Sequence, residues 1–253
     1  MPRPRKSSGE RSGVKSAVRV LELLEFFDRI ERPATLSEIA RELGYPQSSA
    51  SMLVGSLIDR GYLSVSADRR IQPTARVPML GRWVDVWITD GRIDQLMRHL
   101  SRETGETILL GILSDIYAVY IDTIAATKPM RLHIPRGTLR PIAASGMGLM
   151  LLSALDDDEL AARVARARST QTEGARPAKL SSIMAEVREI RKNGYSLSTD
   201  RVVTGAGIIC ILLPRAVRDQ PVAIGIGGLS SGIVENSRDF LALLRSSVAF
   251  YLA

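Results

Sequence analysis

Five residues with polar or flexible apolar side chains stand within one short stretch, residues 46–52, which reads PQSSASM. Their amide and hydroxyl groups could form hydrogen bonds with base edges or phosphate oxygens, and the methionine could pack on a thymine methyl group. The residues concerned are Gln47, Ser48, Ser49, Ser51 and Met52. The alternative is that the small serines only let this segment approach a neighbouring backbone closely. The pattern suggests recognition of a nucleic acid rather than covalent chemistry.

Helical periodicity on both sides of this stretch predicts the elements that would position it. Apolar residues recur at helical spacing over residues 14–27, which predicts a first amphipathic helix with Lys15 and Arg19 on its polar face. The capping-box pattern of residues 35–38, TLSE, starts a second helix, and Gly44 ends it. Pro46 suits the first turn of a third helix.

The third helix is predicted to bury one face and expose the other. A rotation of about 100° per residue separates a polar side from an apolar side. The apolar side holds Ala50, Leu53, Val54 and Leu57, and the polar side holds Ser48, Ser51, Met52 and Gly55. After Gly61, strand-like segments at residues 62–65 and 70–73 predict a β-hairpin with Arg69 and Arg70 at its tip. These elements together predict a winged helix-turn-helix over residues 13–76.

Basic residues around these elements could bind phosphate groups. Net charge is +7, and residues 1–76 hold 13 Lys and Arg against 9 Asp and Glu, which favours a polyanionic partner. Residues 1–12 have basic side chains and nothing apolar after Met1, so we predict a flexible basic arm there. The arm either contacts phosphates or is a plain tail.

The pattern changes after the hairpin. Residues 77–90 are predicted to form a linker helix with more apolar surface than a free connector exposes, so we expect a second protomer to cover it. Residues 91–253 are predicted to form an α+β domain. Its predicted strands are residues 107–113, 117–124, 130–134, 208–213 and 222–226. Its first predicted helix contains Ile93, Leu96, Met97 and Leu100. Its other predicted helices are residues 145–154, 157–167, 181–192 and 237–252.

Composition limits the compartment. A single cysteine, Cys210, excludes an intrachain disulfide framework and a multi-cysteine zinc site, and it fits a reducing cytoplasm. The chain has no apolar run of about 18 residues, and its N-terminus lacks the apolar core of a secretory signal. We therefore predict a cytoplasmic protein without a membrane segment.

Catalytic signals are weak. His99 and His133 stand in unrelated contexts, and neither the G-x-S-x-G elbow nor the full G-x-G-x-x-G spacing occurs. The acidic residues 156–159 suit the start of a helix better than a metal site. Cys210 lies in an apolar run, where a buried thiol is expected. We predict no enzymatic activity, no cofactor and no metal.

Five sequence motifs, in the same order and spacing, resemble those of the IclR-type (isocitrate lyase regulator) bacterial transcription regulators. They are TLSEIARELGYPQSSASMLVGSLIDRGYL, TGETILLGIL, AVYIDTI, RGTLRPIAASGMGLMLL, and NGYSLSTD followed by GAGIICILLP. The resemblance covers nearly the whole chain. It implies a winged helix-turn-helix, a linker helix used in dimerisation and a GAF/PAS-like effector-binding domain. Gln47 and Met52 depart from it, because regulators of this type usually have basic residues at or near these positions.

The resemblance also implies an effector pocket. Carried onto this chain, its residues are Leu132, Arg140, Gly146, Met147, Asp200, Cys210, Gly225 and Gly227. The family often has serine at both positions 225 and 227, which share one strand face, so we expect glycine to leave room there. Arg140 stands where many members have an apolar residue. It either binds a carboxylate ligand or is a solvated loop residue.

These observations predict a ligand-responsive transcription regulator of a catabolic or transport operon. Its expected partners are a pseudo-palindromic DNA operator, a small organic or aromatic acid, and further copies of itself in a homodimer or a dimer of dimers. The alternative is a small-molecule sensor and dimerisation protein that no longer binds DNA specifically. Salt dependence of DNA binding distinguishes the two, because each phosphate contact releases counterions.

Overall fold

The computed structural model describes residues 14–80, 91–129, 131–170, 179–214 and 220–252. The chain separates into two compact units, with the division after residue 83. The predicted basic arm, residues 1–12, and residues 81–90 of the predicted linker lie outside the described residues.

The first unit is a winged helix-turn-helix, as predicted. Its elements are α1 (Lys15–Ile30), α2 (Leu36–Glu42), α3 (Gln47–Asp59), β1 (Leu63–Val65), β2 (Ile71–Pro73) and the short α4 (Arg76–Met79). Strands β1 and β2 pair antiparallel and form the wing. Leu23, Phe26, Ile39 and Val54 form a core between the three long helices, which Leu63 and Ile71 of the wing complete.

Local capping explains where these helices begin and end. The Thr35 hydroxyl accepts a hydrogen bond from the Glu38 amide at 3.3 Å, which is the predicted N-cap of α2. The Glu38 carboxylate accepts mainly from the Arg32 guanidinium; this bond lowers the pKa of Glu38, and the Thr35 amide contributes in the same direction. Gly44 follows α2 with φ +65°. Pro46 is the N-cap of α3, so the helix starts one residue later than predicted.

The second unit is a six-stranded antiparallel sheet with helices on both faces. Its strands are β3 (Thr107–Ser114), β4 (Tyr117–Ile124), β5 (Leu139–Pro141), β6 (Ser196–Thr199), β7 (Ala206–Leu212) and β8 (Val222–Leu229), in the order β5-β4-β3-β8-β7-β6. Its helices are α5 (Arg92–Thr104), α6 (Gly146–Leu152), α7 (Asp157–Thr170), α8 (Leu180–Asn193), α9 (Ser230–Glu235) and α10 (Ser237–Leu252). One core contains residues of α6, α7 and α8, and the other contains residues of α5 and α10.

Four features of this unit differ from the prediction. Residues 131–134 do not form a strand, and Met130 lies outside the described residues. Leu132 and Ile134 instead line a cavity, and the partner of β4 at this edge is the short β5. Pro141 is tolerated there because an edge strand needs few amide donors. Strands β5 and β6 and helix α9 were not predicted.

Strand β6 escaped prediction because its polarity is inverted. Ser196 and Ser198 are buried, at 2% and 8% exposure, whereas Leu197 between them is 39% exposed. A half-buried strand is normally recognised by apolar residues on its buried side.

Candidate functional sites

Helix α3 exposes the residue types predicted for DNA contact. Gln47, Ser48, Ser51 and Met52 are exposed, and Met52 has 69% of its surface accessible. Ser49 is half-buried. The opposite face buries Ala50, Val54 and Leu57.

One of these polar groups also holds two helices together. The Gln47 amide nitrogen donates to the Ser37 hydroxyl at 3.3 Å, which joins the first turn of α3 to the first turn of α2. Its carbonyl oxygen is an acceptor that this bond does not use.

The two arginines of the wing have different surroundings. The Arg69 side chain is exposed, and its backbone adopts φ +58° at the turn. The Arg70 Nε lies 3.2 Å from an Asp68 carboxylate oxygen. That carboxylate also accepts from the Ser66 hydroxyl, and this bond, with Arg70 as a further cause, lowers the pKa of Asp68. The Arg70 charge is therefore partly balanced within the wing.

The two predicted cations of α1 also differ. Lys15 is exposed at the start of the helix. The Arg19 guanidinium carbon lies 4.9 Å from the centroid of the Tyr45 ring, in the turn between α2 and α3. Arg19 is therefore held next to the segment that begins α3.

A second candidate site is a cavity of about 60 Å³ in the second unit. All six strands, β3 to β8, contribute to its wall together with the start of α6 and the loops around residues 132–134 and 201–203, and Arg140 is the contribution of β5. The lining residues are Leu109, Tyr120, Leu132, Ile134, Arg140, Ser145, Gly146, Ser198, Arg201, Val202, Val203, Ala206, Gly207, Ile208 and Gly227.

The structure brings four of the eight implied pocket residues to this wall. These are Leu132, Arg140, Gly146 and Gly227. The other four, Met147, Asp200, Cys210 and Gly225, are not on the wall. Met147, Cys210 and Gly225 are buried. The Asp200 carboxylate accepts from the Gly205 amide at 2.5 Å, inside the turn before β7.

The cavity combines a cationic group with hydroxyls. Arg140 interacts with Tyr120, whose pKa is raised to about 12, chiefly by burial. Arg201 forms an ion pair with Glu186 at 2.5 Å, so its charge is balanced. Among the described lining residues there is no Asp or Glu. The arrangement suits a small anion with an apolar body, because Leu109, Ile134 and Ile208 supply apolar surface.

Most of the residues on the cavity wall were not predicted from the sequence. Leu109 and Tyr120 lie on strands that were predicted, so the alternation of side chains could have found them. Ser198 lies on the inverted strand β6, and residues 201–203 lie in a loop without periodicity.

The two glycines on β8 differ, because Gly227 lies on the cavity wall and Gly225 does not. At Gly225 a Cβ would lie 2.8 Å from the Cys210 Cβ, so the space is filled by the neighbouring strand. At Gly227 it would lie 3.0 Å from a methyl group of Leu109. Both glycines allow close approach of a neighbouring side chain, and at Gly227 that side chain, Leu109, lines the cavity as well.

The residues considered for catalysis, Cys210, His99 and His133, lie in different environments. Cys210 is fully buried, its thiol lies 3.6 Å from the Gly146 carbonyl oxygen, and burial raises its pKa to about 12. The His99 ring packs 5.6 Å from the ring of Tyr251, and His133 is exposed. Within the described residues no group of three or more His, Cys, Asp or Glu could hold a metal ion, and no helix is long and apolar enough to cross a membrane.

Comparison with known proteins gives matches in both units. Residues 91–249 match the family model for the C-terminal domain of the bacterial transcriptional regulator IclR, and residues 16–66 match the IclR helix-turn-helix domain. The acetate operon repressor of Salmonella typhimurium is 25% identical over 238 residues, which covers 88% of this chain and 83% of that protein.

Solved structures agree with these matches. The effector domain of a transcriptional regulator IclR from Acinetobacter sp. ADP1 is 33% identical, with a TM-score of 0.60. The alignment covers 65% of this chain and 95% of the Acinetobacter chain. An IclR homologue from Microbacterium hydrocarbonoxydans, complexed with 4-hydroxybenzoate, has a TM-score of 0.65 at 18% identity. The alignment covers 93% of this chain and 97% of the Microbacterium chain. At that identity the second likeness shows the fold alone.

Proposed function

The chain belongs to the IclR family of transcriptional regulators, and from this premise we propose that it binds an operator through α3 and the wing and responds to a small carboxylic acid held in the cavity of its second unit. It is a regulator and not an enzyme. The target is a catabolic or transport operon in the cytoplasm.

The observation that carries the DNA-binding part is the outward face of α3. Ser48, Ser51 and Met52 are exposed on one side of a helix whose other side is packed against the core. In a winged helix-turn-helix this is the helix that enters the major groove. Hydroxyl groups read base edges there, while Arg69, Lys15 and Arg19 bind phosphates.

A shift assay on DNA upstream of the protein's own gene tests this part. Ser48→Ala with Met52→Ala should weaken binding to that DNA by about 1–3 kcal/mol and leave binding to random DNA almost unchanged, because base contacts carry the specificity. Arg69→Ala should reduce the magnitude of the negative slope of log affinity against log salt by about 0.9 on both DNAs. Arg70→Ala should lower it less, because Asp68 balances part of its charge.

Two results would contradict this assignment. Equal losses on specific and random DNA would exclude base readout by α3. Absence of salt-dependent binding by the unaltered protein would favour a sensor without DNA-binding activity.

The carboxylate assignment depends on Arg140. It lies on the wall of a cavity without a described acidic residue, and the other wall arginine is paired with Glu186. A guanidinium in such a site can form a bidentate pair with a carboxylate. The 4-hydroxybenzoate complex of the Microbacterium protein supports this ligand class by analogy.

A thermal-shift screen of carboxylic and aromatic acids would identify the ligand, since a molecule that binds the native state raises its melting temperature. Arg140→Leu should then weaken the best acid by at least about tenfold in calorimetry, because a charge-assisted hydrogen bond contributes about 1.5–3 kcal/mol. Arg140→Lys should restore part of the affinity. Unchanged affinity in Arg140→Leu would place the acid elsewhere.

We propose a homodimer, or a dimer of dimers, as the DNA-binding form. A pseudo-palindromic operator requires two reading helices related by two-fold symmetry. Sedimentation of the full chain with and without DNA measures the stoichiometry, and one protomer per operator would contradict the proposal.

A further inference from the structure

Three side chains of the first unit form a contact that joins α1 to the turn before α3. The Tyr45 hydroxyl donates a hydrogen bond to the Glu22 carboxylate, and the Arg19 guanidinium lies 4.9 Å from the centroid of the same ring. Arg19 and Glu22 are three positions apart on α1. One aromatic residue therefore contacts an acid and a base of the same helix at once. We call these three residues the tyrosine clamp.

The backbone holds Tyr45 in this position. Its amide donates to the Ala40 carbonyl at 2.9 Å, across the end of α2, and Gly44 before it takes the left-handed φ of +65°. The next residue, Pro46, is the N-cap of α3. A side chain at position 45 is thus fixed relative to the first turn of the helix proposed to read DNA.

The two contacts of the ring separate charges that would otherwise meet. Oppositely charged side chains three positions apart on a helix are neighbours and readily form an ion pair. The Tyr45 hydroxyl donates to one oxygen of the Glu22 carboxylate, while the face of its ring attracts the Arg19 cation. Burial, and then the hydrogen bond to Glu22, raise the pKa of Tyr45 to about 12, so its hydroxyl stays a donor at physiological pH.

We propose that Tyr45 is a positioning residue for DNA binding: it holds Glu22 away from Arg19 and so keeps the Arg19 guanidinium available for a phosphate beside the start of α3. This inference rests on the proposed DNA-binding function. It assigns the Gly-Tyr-Pro turn a role beyond joining two helices, and it gives Glu22 a part in controlling the effective charge of the DNA-binding surface.

Salt dependence measures this role directly. Each phosphate neutralised on a B-DNA duplex contributes about −0.9 to the slope of log affinity against log salt. The probe is a random-sequence duplex, since phosphate contacts do not require the operator. Arg19→Ala should reduce the magnitude of the slope by about 0.9, and Tyr45→Phe should reduce it by a large part of that amount, because the freed Glu22 carboxylate then pairs with Arg19. A constant fraction of inactive protein does not alter the slope.

Rescue separates positioning from a merely structural role. Adding Glu22→Gln to Tyr45→Phe removes the competing carboxylate and should restore the slope. The matched control adds Glu25→Gln instead, which changes net charge equally on the same helix but at an exposed residue; it should not restore the slope. Combining Arg19→Ala with Tyr45→Phe should give the slope of Arg19→Ala alone.

The outcomes are distinct. A Tyr45→Phe slope equal to that of the unaltered protein, or equal rescue by Glu22→Gln and Glu25→Gln, would overturn the inference while leaving DNA binding intact. An unaltered protein that binds the duplex without salt dependence would overturn the proposed function itself.

Discussion

Gly148 shows how closely packed the start of α6 is. A Cβ at this position would lie 2.2 Å from the Ile142 carbonyl oxygen, which is a backbone atom that cannot rotate away. Gly146, two residues earlier, also allows a close approach, since its Cβ would lie 2.6 Å from the Ser198 Cβ. These glycines let the helix pack directly against the loop before it and the edge strand β6, and so define one end of the cavity.

We expect Gly148→Ala to lower the free energy of unfolding by about 3 kcal/mol, because the added methyl group forces the backbone to shift. Gly55→Ala is the control, since a Cβ there meets nothing within 4 Å in the middle of α3. It should raise the stability by about 0.5–1 kcal/mol through the better helix propensity of alanine. Urea unfolding followed by circular dichroism measures both, and a stable Gly148→Ala protein would contradict the close contact.

Single residues also limit what a motif can predict. Of the positions implied for the pocket, Arg140 lies on the cavity wall whereas Cys210 is buried away from it. A motif does not distinguish these two surroundings. Which side chain reaches a cavity depends on the direction of each strand face and on the neighbours that fill the remaining space.

At the scale of elements, the beginning of α2 is set by local chemistry. The Thr35 hydroxyl accepts from the Glu38 amide, and Glu38 is bonded in turn to Arg32 through an oxygen 2.5 Å from its Nη2. The first bond joins residues three positions apart, which is why the TLSE pattern could predict it, whereas the bond to Arg32, which lies outside that pattern, was not predicted.

Thr35→Ala should destabilise the first unit by about 1 kcal/mol, because it leaves an amide of the first turn without its side-chain partner. Thr35→Ser keeps the hydroxyl and should behave like the unaltered protein. Hydrogen exchange of α2 amides, compared with those of α10, reports the change locally. Equal protection of α2 in Thr35→Ala and Thr35→Ser would show that the cap contributes little.

Edges of the sheet were the hardest elements to predict. Strands β5 and β6 contain three and four residues, and β6 presents serine to the interior and leucine to the outside. Such short strands exist because a longer strand offers them a partner: β4 for β5 and β7 for β6. The periodicity of three or four residues cannot predict pairing with a strand elsewhere in the chain.

For the whole molecule, the proposed regulation requires that acid binding and DNA binding affect one another. A ligand shifts a conformational equilibrium only by its different affinity for the two states. Coupling free energies between sites are typically about 1–3 kcal/mol, and linkage makes them reciprocal.

We therefore expect the acid found in the thermal-shift screen to change operator affinity by about 5- to 150-fold, and operator DNA to change acid affinity by the same factor. Calorimetry of each ligand in the presence and absence of the other measures both factors. Arg140→Leu should remove the effect of the acid on DNA and leave DNA affinity without the acid unchanged. Independent binding of acid and DNA would contradict a ligand-responsive regulator.

The sequence by itself determined the winged helix-turn-helix, the family and the long strands and helices of the second unit, because caps, helical periodicity and apolar runs act over a few residues. It also determined which residues of α3 face outward. Only the tertiary structure decided that Tyr45 contacts both Arg19 and Glu22, that Asp68 balances Arg70, and that residues 131–134 line a cavity instead of forming a strand. The cavity contacts join residues far apart in the chain, and those of Tyr45 and Asp68 depend on how a turn orients its side chains. Both are set by packing and geometry that periodicity does not encode.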